Sequence, residues 1–136
     1  MAQSYLLAFL AEAYGAGGQS EEGLQILDEA LAAVRDTGER MYEAELYRLK
    51  GDLLRMQSMA HAAEAETCLH QALALAHQQQ ARSLGLRAAM SLARLWQRQG
   101  KSQAARDLLA PLYGWFTEGF DTVDLQEAKA LLEVLE

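Results

Sequence analysis

Apolar residues recur every three to four positions over long stretches of this chain, the spacing that gathers them on one face of an α-helix. Short polar or glycine-bearing breaks separate the stretches: Gly15-Ala16-Gly17-Gly18-Gln19-Ser20, Thr37-Gly38, Met56 to His61, Gln78-Gln79-Gln80 and Gln99-Gly100-Lys101-Ser102. The pattern predicts helices near 3–16, 20–37, 39–57, 61–80, 82–99, 102–117 and 122–135. Local signals agree. Ser20 followed by Glu21 and Glu22 suits a helix start, where a side-chain oxygen accepts from free backbone N–H groups and acids meet the positive end of the dipole. Ser58 is a candidate N-cap in the middle turn, and Asp121 or Thr122 can cap the last helix. Gly100 can take the left-handed conformation that closes a helix. Pro111 lies inside the sixth predicted helix, where it removes a backbone donor and crowds the carbonyl of Asp107, so a kink is expected.

The helices come in pairs with a recurring signature. Leu7, Leu10, Ala11 and Tyr14 are followed by Gly23, Leu27 and Ala30; Tyr47, Gly51 and Leu54 by Ala65, Leu69 and Ala72; Ala89, Leu92, Ala93 and Trp96 by Ala105, Leu109 and Leu112. Small residues let paired helices approach, and large ones fill the space between them. This is the tetratricopeptide (TPR) pattern. Equivalent positions Tyr14, Leu54 and Trp96 are 40 and 42 apart, longer than the usual repeat of about 34. The expected architecture is all-α, a right-handed α-α superhelix or TPR-like solenoid in a single domain over 1–136. About three helix pairs (3–37, 39–80, 82–117) would be followed by a capping helix over 121–136.

The two ends differ. In the last helix, Leu125, Ala128, Leu131, Leu132 and Leu135 share one face, and Glu127, Lys129 and Glu133 the other, as a cap exposed to water requires. Tyr5-Leu6-Leu7-Ala8-Phe9-Leu10-Ala11 is apolar around its whole circumference, which implies burial on both sides. Tyr5, Leu6 and Phe9 are therefore expected to form an inter-domain face of a longer chain; the alternative is a homodimer built on the same face.

Composition narrows the function. Leu, Ala, Glu, Gln and Arg dominate, while one Ile, three Val and four Thr are too few for a sheet. The formal net charge of −7 argues against wholesale binding to nucleic acid or an anionic membrane. A lone cysteine, Cys68, forms no internal disulfide and fits a reducing compartment. With no basic leader pattern and no long apolar run, a cytoplasmic location is expected.

No catalytic constellation is legible, so the chain is not expected to be an enzyme or to hold a cofactor or metal. No G-x-x-x-x-G-K-[ST] occurs, and Gly15 to Gly18 reads as a turn. His70 and His77 share a helix face without metal-ligand spacing, and Glu64 and Glu66 point to different sides. One charged patch stands out. If first helices of each pair line a concave groove, its positions are Tyr5, Ala8 and Glu12; then Glu45, Arg48, Asp52 and Arg55; then Arg87, Met90, Arg94, Gln97 and Arg98. Five of the nine arginines fall there. Arginine's planar fork suits carboxylates, so one reading is capture of an acidic peptide or an acidic surface of another domain. The other is internal neutralisation through the i, i+3 pairs Glu45–Arg48 and Asp52–Arg55. The aromatic stretch around Trp115, Phe116 and Phe120 is expected to wedge the sixth helix against the seventh; the alternative is an exposed anchor for a neighbouring domain.

The chain resembles the C-terminal TPR-like region of large bacterial multidomain signalling proteins. Such proteins carry a nucleotide cyclase or DNA-binding domain, a STAND/AAA-type ATPase domain and then a helical array. The resemblance rests on Ala11-Glu12-Ala13-Tyr14-Gly15, Gly38-Glu39-Arg40 with Glu43-Ala44-Glu45-Leu46, Arg48-Leu49-Lys50-Gly51 and Ser91-Leu92-Ala93-Arg94-Leu95-Trp96. Its most specific part is Tyr113-Gly114-Trp115-Phe116-Thr117-Glu118-Gly119-Phe120-Asp121. It implies a non-catalytic scaffold that binds a protein, a peptide or other domains of the same chain and passes that state to an ATPase or cyclase.

Overall fold

Stretches rich in Leu, Ala, Glu, Gln and Arg lose little side-chain freedom in a helix, and six of them fold as helices here. The computed structural model describes residues 20–37, 43–116 and 122–135. In chain order these form α1 (Ser20–Thr37), α2 (Glu43–Gln57), α3 (Ala62–Gln78), α4 (Arg82–Arg98), α5 (Ser102–Gly114) and α6 (Val123–Leu135), with a 3-10 turn over Met59–His61. No strand occurs among the described residues, so the fold class is all-α. The helix expected near 3–16 lies outside the described residues, and with it Tyr5, Leu6, Phe9 and the groove positions Ala8 and Glu12.

The helix ends show which turn signals act. Gly100 sits at φ 79°. Its N–H donates to the Gln97 carbonyl at 3.1 Å and that of Lys101 to Trp96 at 2.8 Å, closing α4 in a Schellman motif. α3 ends the same way without a glycine. Gln80 takes φ 55°; its N–H donates to His77 at 3.1 Å and that of Ala81 to Ala76 at 2.9 Å. Ser58 caps the 3-10 turn rather than α3: its Oγ accepts the Ala60 N–H at 3.1 Å. Thr122 is the cap of α6, its Oγ1 accepting the Leu125 N–H at 3.5 Å. Pro111 does not end α5, which continues to Gly114.

Packing proceeds in overlapping clusters. Leu27, Ala30 and Val34 of α1 meet Leu46, Leu49 and Leu53 of α2. Leu54 joins Ala65 and Leu69 of α3 and Leu92 and Leu95 of α4. Ala89 and Ala93 join Ala105 and Leu109 of α5 and Leu125, Ala128, Leu131 and Leu135 of α6. α2 and α3 approach closely at Gly51, where a Cβ would lie 2.7 Å from Leu69 Cγ and 3.1 Å from the Ala65 carbonyl. That is the contact the small position of the repeat signature anticipates.

Sequence neighbours pack in pairs, and α2 also packs on α4 and α4 on α6. The Cα atoms of α1 and α3, and of α3 and α5, by contrast, stay more than 8 Å apart. One side of the molecule thus carries α2, α4 and α6 side by side. On the other, a groove of about 960 Å³ opens between α3 and α5.

Candidate functional site

The three adjacent helices set the candidate site. On α2, the spacing of Glu45, Arg48, Asp52 and Arg55 places all four on one face. Arg87, Ser91 and Arg94 do the same on α4, as do Asp124 and Glu127 on α6. The faces converge on a cleft of about 340 Å³, lined by Arg48, Asp52, Arg87, Arg94, Asp124 and Glu127 with apolar Leu49, Leu53, Met56 and Met90 between them. Leu125, Ala128, Leu131 and Leu135 anchor α6 in the core beside these acids.

The charges form a chain of contacts. Arg48 donates to Glu45 through Nε at 2.9 Å and also through Nη2, and to Asp52 through Nη1 at 3.0 Å. Asp52 further accepts from Arg55 at 3.4 Å and from the Ser91 hydroxyl of α4 at 3.0 Å. Arg87 reaches back to Glu45 at 3.5 Å and forward to Asp124 at 2.8 Å. Arg94 pairs with Glu127 at 3.5 Å. Burial alone would lower the pKa of Arg48, but the hydrogen bond it donates to Glu45 and the charges of Glu45 and Asp52 outweigh it and hold it above the ordinary arginine value. For Arg87 the hydrogen bond to Asp124 leads, and with Glu45 it outweighs desolvation, again raising the value. Both guanidiniums stay charged.

Of the groove positions named from sequence, Glu45, Arg48, Asp52, Arg55, Arg87, Met90 and Arg94 come together. Met90 is only 2% exposed and serves as floor. Gln97 and Arg98 continue along α4 but do not line the cleft. The expected i, i+3 pairs both form. Asp124 and Glu127 are the residues that sequence reasoning missed. Glu127 belongs, by the amphipathic pattern, to the solvent face; it sits at the boundary, half-exposed, within reach of Arg94. The one available signal is their own i, i+3 spacing at the start of a capping helix.

Elsewhere the chemistry is structural. Trp96 donates its indole N–H to Glu66 at 2.7 Å, and His70 packs against the same ring at 6.0 Å between centroids. Cys68 is buried, and that burial pushes its thiol pKa up, toward the unreactive neutral form. No group of three or more His, Cys, Asp or Glu among the described residues could hold a metal ion. The aromatic stretch divides. Phe116 packs against the α4–α5–α6 core as a wedge. Trp115 is 52% exposed and turns outward, with the Arg82 guanidinium 5.7 Å from its ring centre; Phe120 lies outside the described residues. A cationic neighbour over the ring face stabilises that outward position.

No helix among the described residues is long and apolar enough to cross a membrane. No protein-family model and no curated protein matches the chain.

Proposed function

We propose that this chain is a non-catalytic protein-interaction module, a TPR-like right-handed solenoid. Its cleft between α2, α4 and α6 receives a carboxylate-rich segment of a partner or of another domain. One observation carries the reading. Arg87 and Arg94 stand on the middle helix with side chains 43% and 37% exposed, and they draw carboxylates from a different helix rather than from their own turn. A guanidinium already oriented toward an incoming carboxylate is the element such a site needs. The apolar residues between the charges supply a surface against which an extended peptide can exclude water. The sequence resemblance supports a place in a bacterial signalling ATPase or cyclase, where such capture would report the state of a neighbouring domain.

The test is fluorescence anisotropy with a fluorescein-labelled hexaglutamate at low ionic strength. Saturable binding is expected, weakened at least about tenfold by Arg87→Glu with Arg94→Glu, since reversing a charge at a paired site introduces repulsion as well as removing attraction. Equal binding by the reversed variant would refute the assignment, as would absence of binding even after the α6 acids Asp124 and Glu127 are neutralised.

A further inference from the structure

The arginines of the cleft fall into two groups by the origin of their partners. Arg48 and Arg55 take carboxylate partners from α2 itself. Arg87 and Arg94 take Asp124 and Glu127 from α6. These two acids share one face of α6, a turn apart, next to the cleft that a carboxylate-bearing ligand would enter. Both pairs are partly solvent-exposed and therefore weak and exchangeable. The apolar anchor of α6 runs beside the acids and continues through Leu131 and Leu135, one and two turns beyond Glu127, so the acids of the first turns can let go of the arginines without α6 leaving the core.

From this arrangement we infer that α6 is an internal competitor: Asp124 and Glu127 occupy the carboxylate positions of the cleft, and an acidic partner binds by displacing them. The inference rests on the reading of the cleft as an acidic-segment site. It adds that the site is self-occupied in the free protein, and that ligand binding is coupled to the first turn of α6. An acid that engages Arg87 side-on, through Nε, takes the place of Asp124, because that N–H is already donated to the Asp124 carboxylate at 2.8 Å. Binding therefore releases the start of α6 from α4, and any change that loosens α6 raises affinity, as linkage requires.

The experiment compares four full-length proteins with the same hexaglutamate probe: wild type, Asp124→Asn/Glu127→Gln, the Arg87→Glu/Arg94→Glu variant, and a control, Glu29→Gln/Glu133→Gln. The control removes the same two negative charges at exposed positions outside the cleft. Affinity is expected to rise about 3- to 10-fold in the Asp124/Glu127 variant, the sum of two exposed ion pairs, and less than about twofold in the control. In wild-type protein, saturating probe should also speed amide exchange over residues 123–127 while leaving 131–135 unchanged. If wild type binds and the Asp124/Glu127 variant gains no more than the control, α6 is not a competitor, although the cleft assignment stands. If neither binds, the cleft assignment itself falls. Binding by the variant alone supports both. The exchange measurement on wild type decides the question if the variant proves unstable: unchanged rates at 123–127 under saturating probe overturn the inference.

Discussion

Arg48 and Arg87 face one cleft from adjacent helices, yet they are held in opposite ways. Arg48 is 14% exposed and bound to acids three and four residues away on its own helix, so its pairing forms as soon as α2 does. Arg87 is 43% exposed, and its shortest contact goes to Asp124, 37 residues further along the chain. The first pairing follows from spacing along one helix. The second depends on where α6 sits. Charged residues of similar appearance in the sequence thus divide into a fixed half, belonging to the fold, and a responsive half, whose state reports the position of another element.

That division can be broken most forcefully on the fixed side. Arg48→Met leaves Glu45 and Asp52 largely buried with fewer cationic partners. It should cost about 3 kcal/mol of unfolding free energy, the low end for removing one partner of a buried pair, because Arg55, Arg87 and Ser91 remain. Urea denaturation measures this, and a loss below about 1 kcal/mol would show that the α2 pairs are as dispensable as surface ones. A smaller effect is expected from Gly51→Ala, also on α2. The gain in helix propensity of about 1 kcal/mol is opposed by overpacking against Leu69 and the Ala65 carbonyl, so a net loss of about 1–2 kcal/mol should appear. Because no cleft charge is touched, probe binding should survive this change. The finest comparison is a pair of double-mutant cycles. Coupling between Arg87 and Asp124 should be about 0.2–1 kcal/mol at low salt and approach zero near 1 M salt, where screening acts over about 3 Å. Coupling between Arg48 and Asp52 should be larger and keep most of its value, since buried pairs are screened less. Equal salt sensitivity in the two cycles would erase the distinction.

Much of the fold is readable from the residues because it is set locally. The apolar period placed six helices within a few residues of their observed bounds, and the small position at Gly51 anticipated a close α2–α3 approach. Gly100 announced its own φ. Gln80 did not, since glutamine carries no preference for the left-handed region; the turn is imposed by the helices it joins, at a cost of about 1 kcal/mol. The site was half legible for the same reason. Glu45–Arg48 and Asp52–Arg55 are contacts between turns of one helix and follow from spacing alone. The partners of Arg87 and Arg94 arise from how α6 docks on α4, which no local pattern encodes. Phe116 and Trp115 are adjacent in sequence and aromatic alike, yet only the first points inward, because successive residues on a helix end face different directions.

The packing order of the helices bears on how the chain reaches this structure. Every helix pair in contact is separated by at most one intervening helix. Among the described residues, no helix–helix contact waits on the closure of a long loop, the step that slows folding most. Any neighbouring pair can nucleate and recruit the next. The contacts of α6 are with α4 and α5, so the acids that fill the cleft arrive through a short, local docking step.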